Sequence, residues 1–269
     1  MLYLKNIFFS FFLVLTSFIG QAQQLEIGAN VGGASYLGDL NQYNPAKISG
    51  VAAGVFAKVN FNPYVAVGLH YNYGKIEADD AKSSHQQFVD RNLKFITPLH
   101  EISALVELNL FDLTAYYRNT RFTPYLFVGV GTVIFNPKAI YKEETYELPI
   151  LRTEGQSEAY KTAALTFPYG AGIKYKLKNN WTVFSQVGYR SPLTDYLDDV
   201  SGVYPDPSFF SLASTPSASR IFSDRSNEFT GVSLGKAGTQ RGDFRKRDNY
   251  MFVGIGISYT FVSQKCFTF

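Results

Sequence analysis

The chain has 269 residues and a formal charge of +3, with 17% charged and 16% aromatic residues and a mean hydropathy of −0.07. So small a charge, spread along the chain, leaves no basic stripe of the kind nucleic acid needs. Past the N-terminal segment no apolar run reaches the roughly 18 residues of a membrane helix, and the lone Cys266 has no partner for an internal disulfide.

Residues 1–22 have the layout of a signal peptide: Lys5 ahead of an apolar stretch over 7–19, then Gly20-Gln21-Ala22 as small residues at a cleavage point. No cysteine follows Ala22, which excludes a lipoprotein signal. The expected organisation is therefore a signal peptide over 1–22, one β domain over 23–261 and a tail over 262–269.

From Leu25 onward the pattern is period two. Leu25, Ile27, Ala29 and Val31 alternate with Glu26, Gly28, Asn30 and Gly32. Val51, Ala53, Val55, Ala57, Val59 and Phe61 share a second face, and Val65, Val67, Leu69, Tyr71 and Tyr73 a third. Alternation sustained for about ten residues marks strands with two unlike faces. Further strands are expected over 99–110, 124–135, 167–177, 181–190 and 250–261, which makes eight. The links are sorted by side. Short turns join strands two to three and six to seven, and every odd-to-even link is long, the last of nearly 60 residues. Short turns at one end and long loops at the other are the mark of a transmembrane antiparallel β-barrel. Tyrosines, phenylalanines and Trp181 near strand ends suit an interfacial girdle. With eight strands the interior is filled by side chains. Glycines on the inner face leave room for Glu26, Lys58, His70, Glu101, Glu107, Lys174, Gln186 and Arg190, which are expected to pair as a plug.

Candidate chemistry is sparse. His70, His85 and His100 lie 15 residues apart and lack the close spacing of metal ligands. A lipid-acting hydrolase would need an outward nucleophile beside a base, and no serine shares a motif with His100. The expectation is no catalytic, cofactor or metal site. The stretch TDYLDDV (Thr194, Asp195, Tyr196, Leu197, Asp198, Asp199 and Val200) opens the longest loop. Its three acids fall short of the six to eight oxygens of a calcium cage, and its apolar members do not suit a solvated turn. It reads as a folded loop, packed on the barrel rim or on a partner.

Several stretches together resemble the PorG family, an outer-membrane component of the Bacteroidota type IX secretion system. They are VGGASYLGDL, TPYLFVGVGTVIFNPKA, LRTEGQ, FPYGAGIKYKL, GYRSPLTDYLDDVSGVY and the closing RGD, DNYMFVGIGISYTF and KC. TEGQ (Thr153, Glu154, Gly155, Gln156) with TDYLDDVS is the most specific pair, and both are candidate recognition segments. The resemblance implies an outer-membrane scaffold that anchors or organises a periplasmic ring of PorK-like lipoprotein and PorN-like subunits. The chain departs from a plain barrel by running eight residues past its last strand. If the termini are periplasmic, Lys265, Cys266, Phe267 and Phe269 form a docking tail, with Cys266 set for an intermolecular disulfide to a ring subunit. The alternatives are a general small outer-membrane barrel for adhesion or envelope stability, and a lipid-modifying enzyme.

Overall fold

The computed structural model describes residues 24–42, 44–113, 121–212, 215–243 and 245–261. Eight long strands make one closed sheet: β1 (Gln24–Leu37), β2 (Ile48–Asn60), β3 (Val65–Asp79), β4 (Lys94–Asn109), β5 (Phe122–Phe135), β8 (Ala163–Lys176), β9 (Trp181–Pro192) and β10 (Asn249–Phe261). Each pairs antiparallel with its neighbours in the order β3-β2-β1-β10-β9-β8-β5-β4, and β3 pairs β4 to shut the barrel. Closure leaves no barrel strand with a free edge. The expected all-β, eight-stranded antiparallel barrel is what forms.

The sequence sets the faces. In the register Leu25↔Val59, Val59↔Val67, Val67↔Val106, Val106↔Val128, Val128↔Tyr169, Tyr169↔Tyr189, Tyr189↔Met251 and Leu25↔Phe261, outward residues meet outward residues round the whole barrel. The outward positions are odd on β1 (25–33), β2 (51–59), β3 (65–73), β8 (163–175), β9 (181–191) and β10 (251–261). They are even on β4 (100–108) and β5 (122–134). None of them is Asp, Glu, Lys or Arg. Many are wide open, Leu69 at 66% and Ile255 at 64% exposure. Trp181 and Tyr189 mark the two ends of β9. Eight residues at about 3.3 Å each, tilted by about 40°, set them about 20 Å apart, close to the apolar band of a bilayer-spanning barrel.

The lumen is solid. Lys58 Nζ lies 3.1 Å from Glu26 Oε1 and 3.0 Å from Glu107 Oε2, and Lys174 closes the quartet on Glu107. A second layer joins Arg190 Nε to Glu101 Oε2 at 3.2 Å, with Tyr250 donating to the same carboxylate at 2.7 Å and Asn72 to its other oxygen at 3.1 Å. The ion-paired plug is present, with one correction. Several of the inner glycines make room for aromatic rings, not for the charges. A Cβ on Gly28 would sit 2.4 Å from Phe56, on Gly256 2.3 Å from Phe184, on Gly172 2.5 Å from Tyr125 and on Gly74 2.4 Å from Phe252. Only Gly68, under Lys58, and Gly188, shared by Phe127 and Arg190, have a long cation above them. Phe56, Leu105, Tyr125, Phe127 and Phe184 form an apolar layer between the two charged ones. His70 stacks on Phe56 at 5.0 Å, and Gln186 accepts from Tyr125 at 3.1 Å.

The strands outrun their expected limits at the long-loop end. β3 continues to Asp79 instead of ending at 74, β4 begins at Lys94 instead of 99, and β8 at Ala163 instead of 167. Beyond the belt both faces become covered, as at Ser35-Tyr36 and Met251-Phe252, so alternation fades while backbone pairing continues. A hairpin of β6 (Lys138–Tyr141) and β7 (Glu144–Glu147) was not anticipated. Its two-residue turn, Lys142-Glu143, takes φ of 49° and 69° without the Asn-Gly or Asp-Gly signature of such turns.

Candidate functional site

The loop end carries the structure's second core. Residues 38–42, 44–47, 80–93, 136–162, 193–212, 215–243 and 245–248 fold together over the mouth, with short helices α1 (Gln86–Arg91), α2 (Ser219–Ser223) and α3 (Asn227–Thr230). Tyr36, Ile76, Phe95, Leu99, Phe135, Leu148, Leu151, Leu197, Phe222 and Phe252 bury one another there. The strand ends supply six of these ten side chains and the loops four, so the cap is continuous with the barrel wall.

TDYLDDV runs through the middle of this cap. Leu197 (0% exposed), Asp198, Asp199 and Val200 are buried, while Thr194, Asp195 and Tyr196 are half-buried. TEGQ is brought to the same place. The Thr153 hydroxyl donates to Asp199 Oδ2 at 2.6 Å, the Tyr160 hydroxyl donates to Asp199 Oδ1 at 2.7 Å, and Glu154 Oε1 accepts from the backbone of Ser201 at 3.0 Å. Gly155 takes φ of 77°, a left-handed conformation that favours glycine at the turn. Gly155 and Gln156 stay half-buried, whereas Thr153 is wholly enclosed. In this structure the segments bind each other, and the surface they leave to a partner is Thr194, Asp195, Tyr196, Gly155 and Gln156. Lys265, Cys266, Phe267 and Phe269 lie outside the described residues, as does the signal segment.

Arg241 ties the two segments together and was not singled out beforehand. It is 2% exposed. Its guanidinium donates to Glu154 Oε1 at 3.0 Å, to the carbonyls of Asp199 at 2.7 Å, Ser223 at 3.0 Å and Phe222 at 3.2 Å, and lies 3.5 Å from Asp199 Oδ2. Its own carbonyl accepts from Arg91 at 2.8 Å. Arg91 in turn is held by Asp80, with Nε 2.7 Å from Oδ2. Five donors in a planar fork can satisfy carbonyls from three directions at once, which lysine cannot. Burial raises the Asp199 carboxyl, to about 6, against the pull of Arg241 and of the two hydroxyls it accepts from. Nothing in a lone arginine 87 residues from Glu154 marks this pairing in the sequence.

Beside the hub lies a group of acids with no such base. Carboxylate oxygens of Asp39, Asp195 and Asp248 fall within 4.8 Å of one another. The Tyr36 hydroxyl donates to Asp198 and lies 3.2 Å from Asp248 Oδ1. Backbone amides of Leu197 and Asp243 donate to Asp248 and Asp39, and the Ser201 hydroxyl donates to Asp195 at 2.8 Å. Among the described residues no lysine or arginine makes an ion pair with Asp39, Asp195, Asp198 or Asp248. Burial, then repulsion from neighbouring carboxylates, pushes their carboxyls up: Asp39 to about 7, Asp195 to about 6, and Asp198 and Asp248 well above the ordinary carboxylate range. Such acids keep their protons to higher pH than a free carboxyl does. Three carboxylates reach barely half of a calcium shell.

The histidines remain apart. His70 is in the lumen, His85 is in the β3–β4 loop, and His100 faces outward near the loop end of the belt, its Nδ1 and the Tyr71 hydroxyl sharing a hydrogen bond of 2.9 Å. Among the described residues, no helix is long and apolar enough to cross a membrane, which says nothing of strands. At the turn end a blind polar cup of about 500 Å³, lined by Gln24, Asn60, Asn109, Lys174, Lys176 and Thr260 among others, stops at the Lys58 quartet.

A family model matches residues 5–237, from the N-terminal segment into the cap. The chain belongs to the DUF6089 family. That family is described as a domain of unknown function, so membership adds no activity to the geometry. Among curated proteins no relative matches. Solved barrels are similar to the DUF6089 chain at low identity. Neisserial surface protein A is 11% identical over 88% of this chain and 97% of its own, with a TM-score of 0.44. Ail of Yersinia pestis, crystallised with a heparin analogue, is 11% identical over 90% and 100%, at 0.42. A major outer membrane protein of Thermus thermophilus is 13% identical over the same shares, at 0.42. Likenesses this distant carry no functional argument.

Proposed function

We propose that the protein is an integral outer-membrane barrel of the small, plugged kind, working by the surface of its loop cap in adhesion or envelope stability, and not as an enzyme. One observation carries this reading: the polarity of a soluble protein is inverted. Outward positions within the belt carry no Asp, Glu, Lys or Arg, while Glu26, Lys58, Glu101, Glu107, Lys174 and Arg190 are buried inside. Water would not sustain so large an exposed apolar belt, whereas lipid requires it, and a closed barrel is one of the two structures that satisfy every backbone group there. The ion-paired, ring-filled lumen favours a solid post over a pore. Cell fractionation with heat-modifiable gel mobility tests the location, and planar-bilayer recording tests the plug. A water-soluble protein, or steady conductance from the folded barrel, refutes it.

A narrower reading assigns the barrel to the type IX secretion system as the outer-membrane anchor of a PorK/PorN-like ring. It rests on the sequence resemblance, and it is favoured by the meeting of TEGQ and TDYLDDV at one locus. Deletion of the gene with assay of exported cargo tests it. Normal secretion in the deletion strain leaves only the general barrel.

A further inference from the structure

The outward face of β3 and β4 changes character at the loop-end margin of the belt. Below it, Val67, Leu69, Ile102, Ala104 and Val106 offer nothing polar. At the margin Tyr73 stands directly across from His100, and Tyr71 across from Ile102. The Tyr73 and His100 rings lie 5.2 Å apart, and the Tyr71 hydroxyl shares a hydrogen bond with His100 Nδ1. Lys75 follows two residues beyond Tyr73 on the same face. Its ammonium lies 2.8 Å from Glu77, a pair in which both side chains are about 40% exposed. Two hydroxyls, an imidazole and an ammonium are thus grouped on the lipid side of the wall, just where the apolar belt ends. No other stretch of the outward belt carries a titratable nitrogen.

We propose that this face, Tyr71, Tyr73, His100 and Lys75, holds the phosphate of an anionic lipid headgroup. Acyl chains covering Leu69 and Ile102 bring the headgroup to the height of Tyr73 and His100. The bond from Tyr71 fixes the imidazole by one nitrogen and turns the other toward a phosphate oxygen. Lys75 is long enough to reach the same phosphate, and the exposed Glu77 pair is too weakly held to prevent it. Net negative charge on the headgroup is the feature that is read, since one or two cations face it and only Glu77 opposes. The proposal rests on the membrane reading above.

The test uses the full chain folded into phosphatidylcholine nanodiscs with and without a fifth of phosphatidylglycerol, with native mass spectrometry of the lipids it retains. The expected result is a several-fold preference for phosphatidylglycerol, lost in His100→Ala/Lys75→Gln and reduced in Tyr73→Phe, which removes one hydroxyl and keeps the ring. Heat-modifiable mobility confirms that each variant is folded. Equal retention of both lipids by the wild type overturns the proposal, as does a preference that survives the double substitution. So does displacement of the lipid by millimolar inorganic phosphate, which would mark a site for free anion, or retention of a second barrel in place of lipid. Failure to insert into either nanodisc would instead sink the membrane reading itself.

Discussion

Replacing Arg241 by alanine should open the cap and leave the barrel standing. The side chain donates to one carboxylate and three carbonyls, and it stands beside the Asp199 carboxylate, 3.5 Å away. Without it Glu154 and Asp199 lose their cation, and carbonyls of Phe222 and Ser223 lose a donor inside a buried core. Removing one member of a buried ion pair costs about 3–5 kcal/mol, and the orphaned carbonyls add to that. Proton uptake by Asp199, whose carboxyl is already raised, recovers part of the loss. A net of about 3 kcal/mol corresponds to roughly a hundredfold rise in the population of open cap, at 1.4 kcal/mol per factor of ten. Barrel strands make none of these bonds, so the wall should keep its stability.

Limited proteolysis of the folded protein in detergent reads the cap, and retention of the compact, heat-modifiable form reads the barrel. Cleavage within residues 193–248 should accelerate by about two orders of magnitude in Arg241→Ala, as expected when cutting follows the open population. Arg241→Lys should fall between, because one ammonium cannot reach all of the carbonyls. Unchanged protease resistance in the alanine variant would show that apolar packing alone closes the mouth. Loss of the folded barrel would show that cap and wall are one cooperative unit.

The acid group predicts a pH dependence. Asp39 and Asp195 are raised above their unfolded values, so between about pH 4 and 7 the folded cap binds more protons than the unfolded chain, and its stability falls as pH rises through that window. Protease sensitivity of the cap should therefore be lower at pH 5 than at pH 8, and Asp39→Asn should flatten the difference; a wild-type cap that tightens with rising pH refutes the assignment. In the lumen, Lys58→Met leaves Glu26 and Glu107 with only Lys174, and urea unfolding in vesicles should show a loss of about 3–5 kcal/mol. Gly256→Ala sets a Cβ 2.3 Å from Phe184 and 2.5 Å from the Ala29 carbonyl, so overpacking should cost about 1–3 kcal/mol in the same experiment. Gly231→Ala, in open space at φ of 76°, should cost about 1–2 kcal/mol from its left-handed backbone and act on the cap alone.

Wall and cap were legible in the sequence to different degrees, and the reason is physical. In the belt each residue faces one of two solvents, lipid or lumen, so a two-residue period fixes which side chains line the wall; Val65 to Tyr73 could be assigned from spacing alone. The cap has no such period. Asp198 and Asp199 look like solvated loop acids because an isolated carboxylate belongs in water. Long-range contacts, among them to Tyr36, 162 residues earlier, and to Arg241, 42 residues later, make them interior. The apolar members of the loop gave the better signal, since Leu197 and Val200 between charges imply cover on both sides. The glycines misled for a related reason. Spacing shows that an inner position is empty, whereas what fills it comes from the next strand or the next but one, as Phe56 fills the space over Gly28 and Phe184 that over Gly256. Pattern therefore decides the wall, where the solvent does the sorting, and falls silent in the cap, where side chains distant in sequence sort one another. The surface that a partner would meet belongs to that second region.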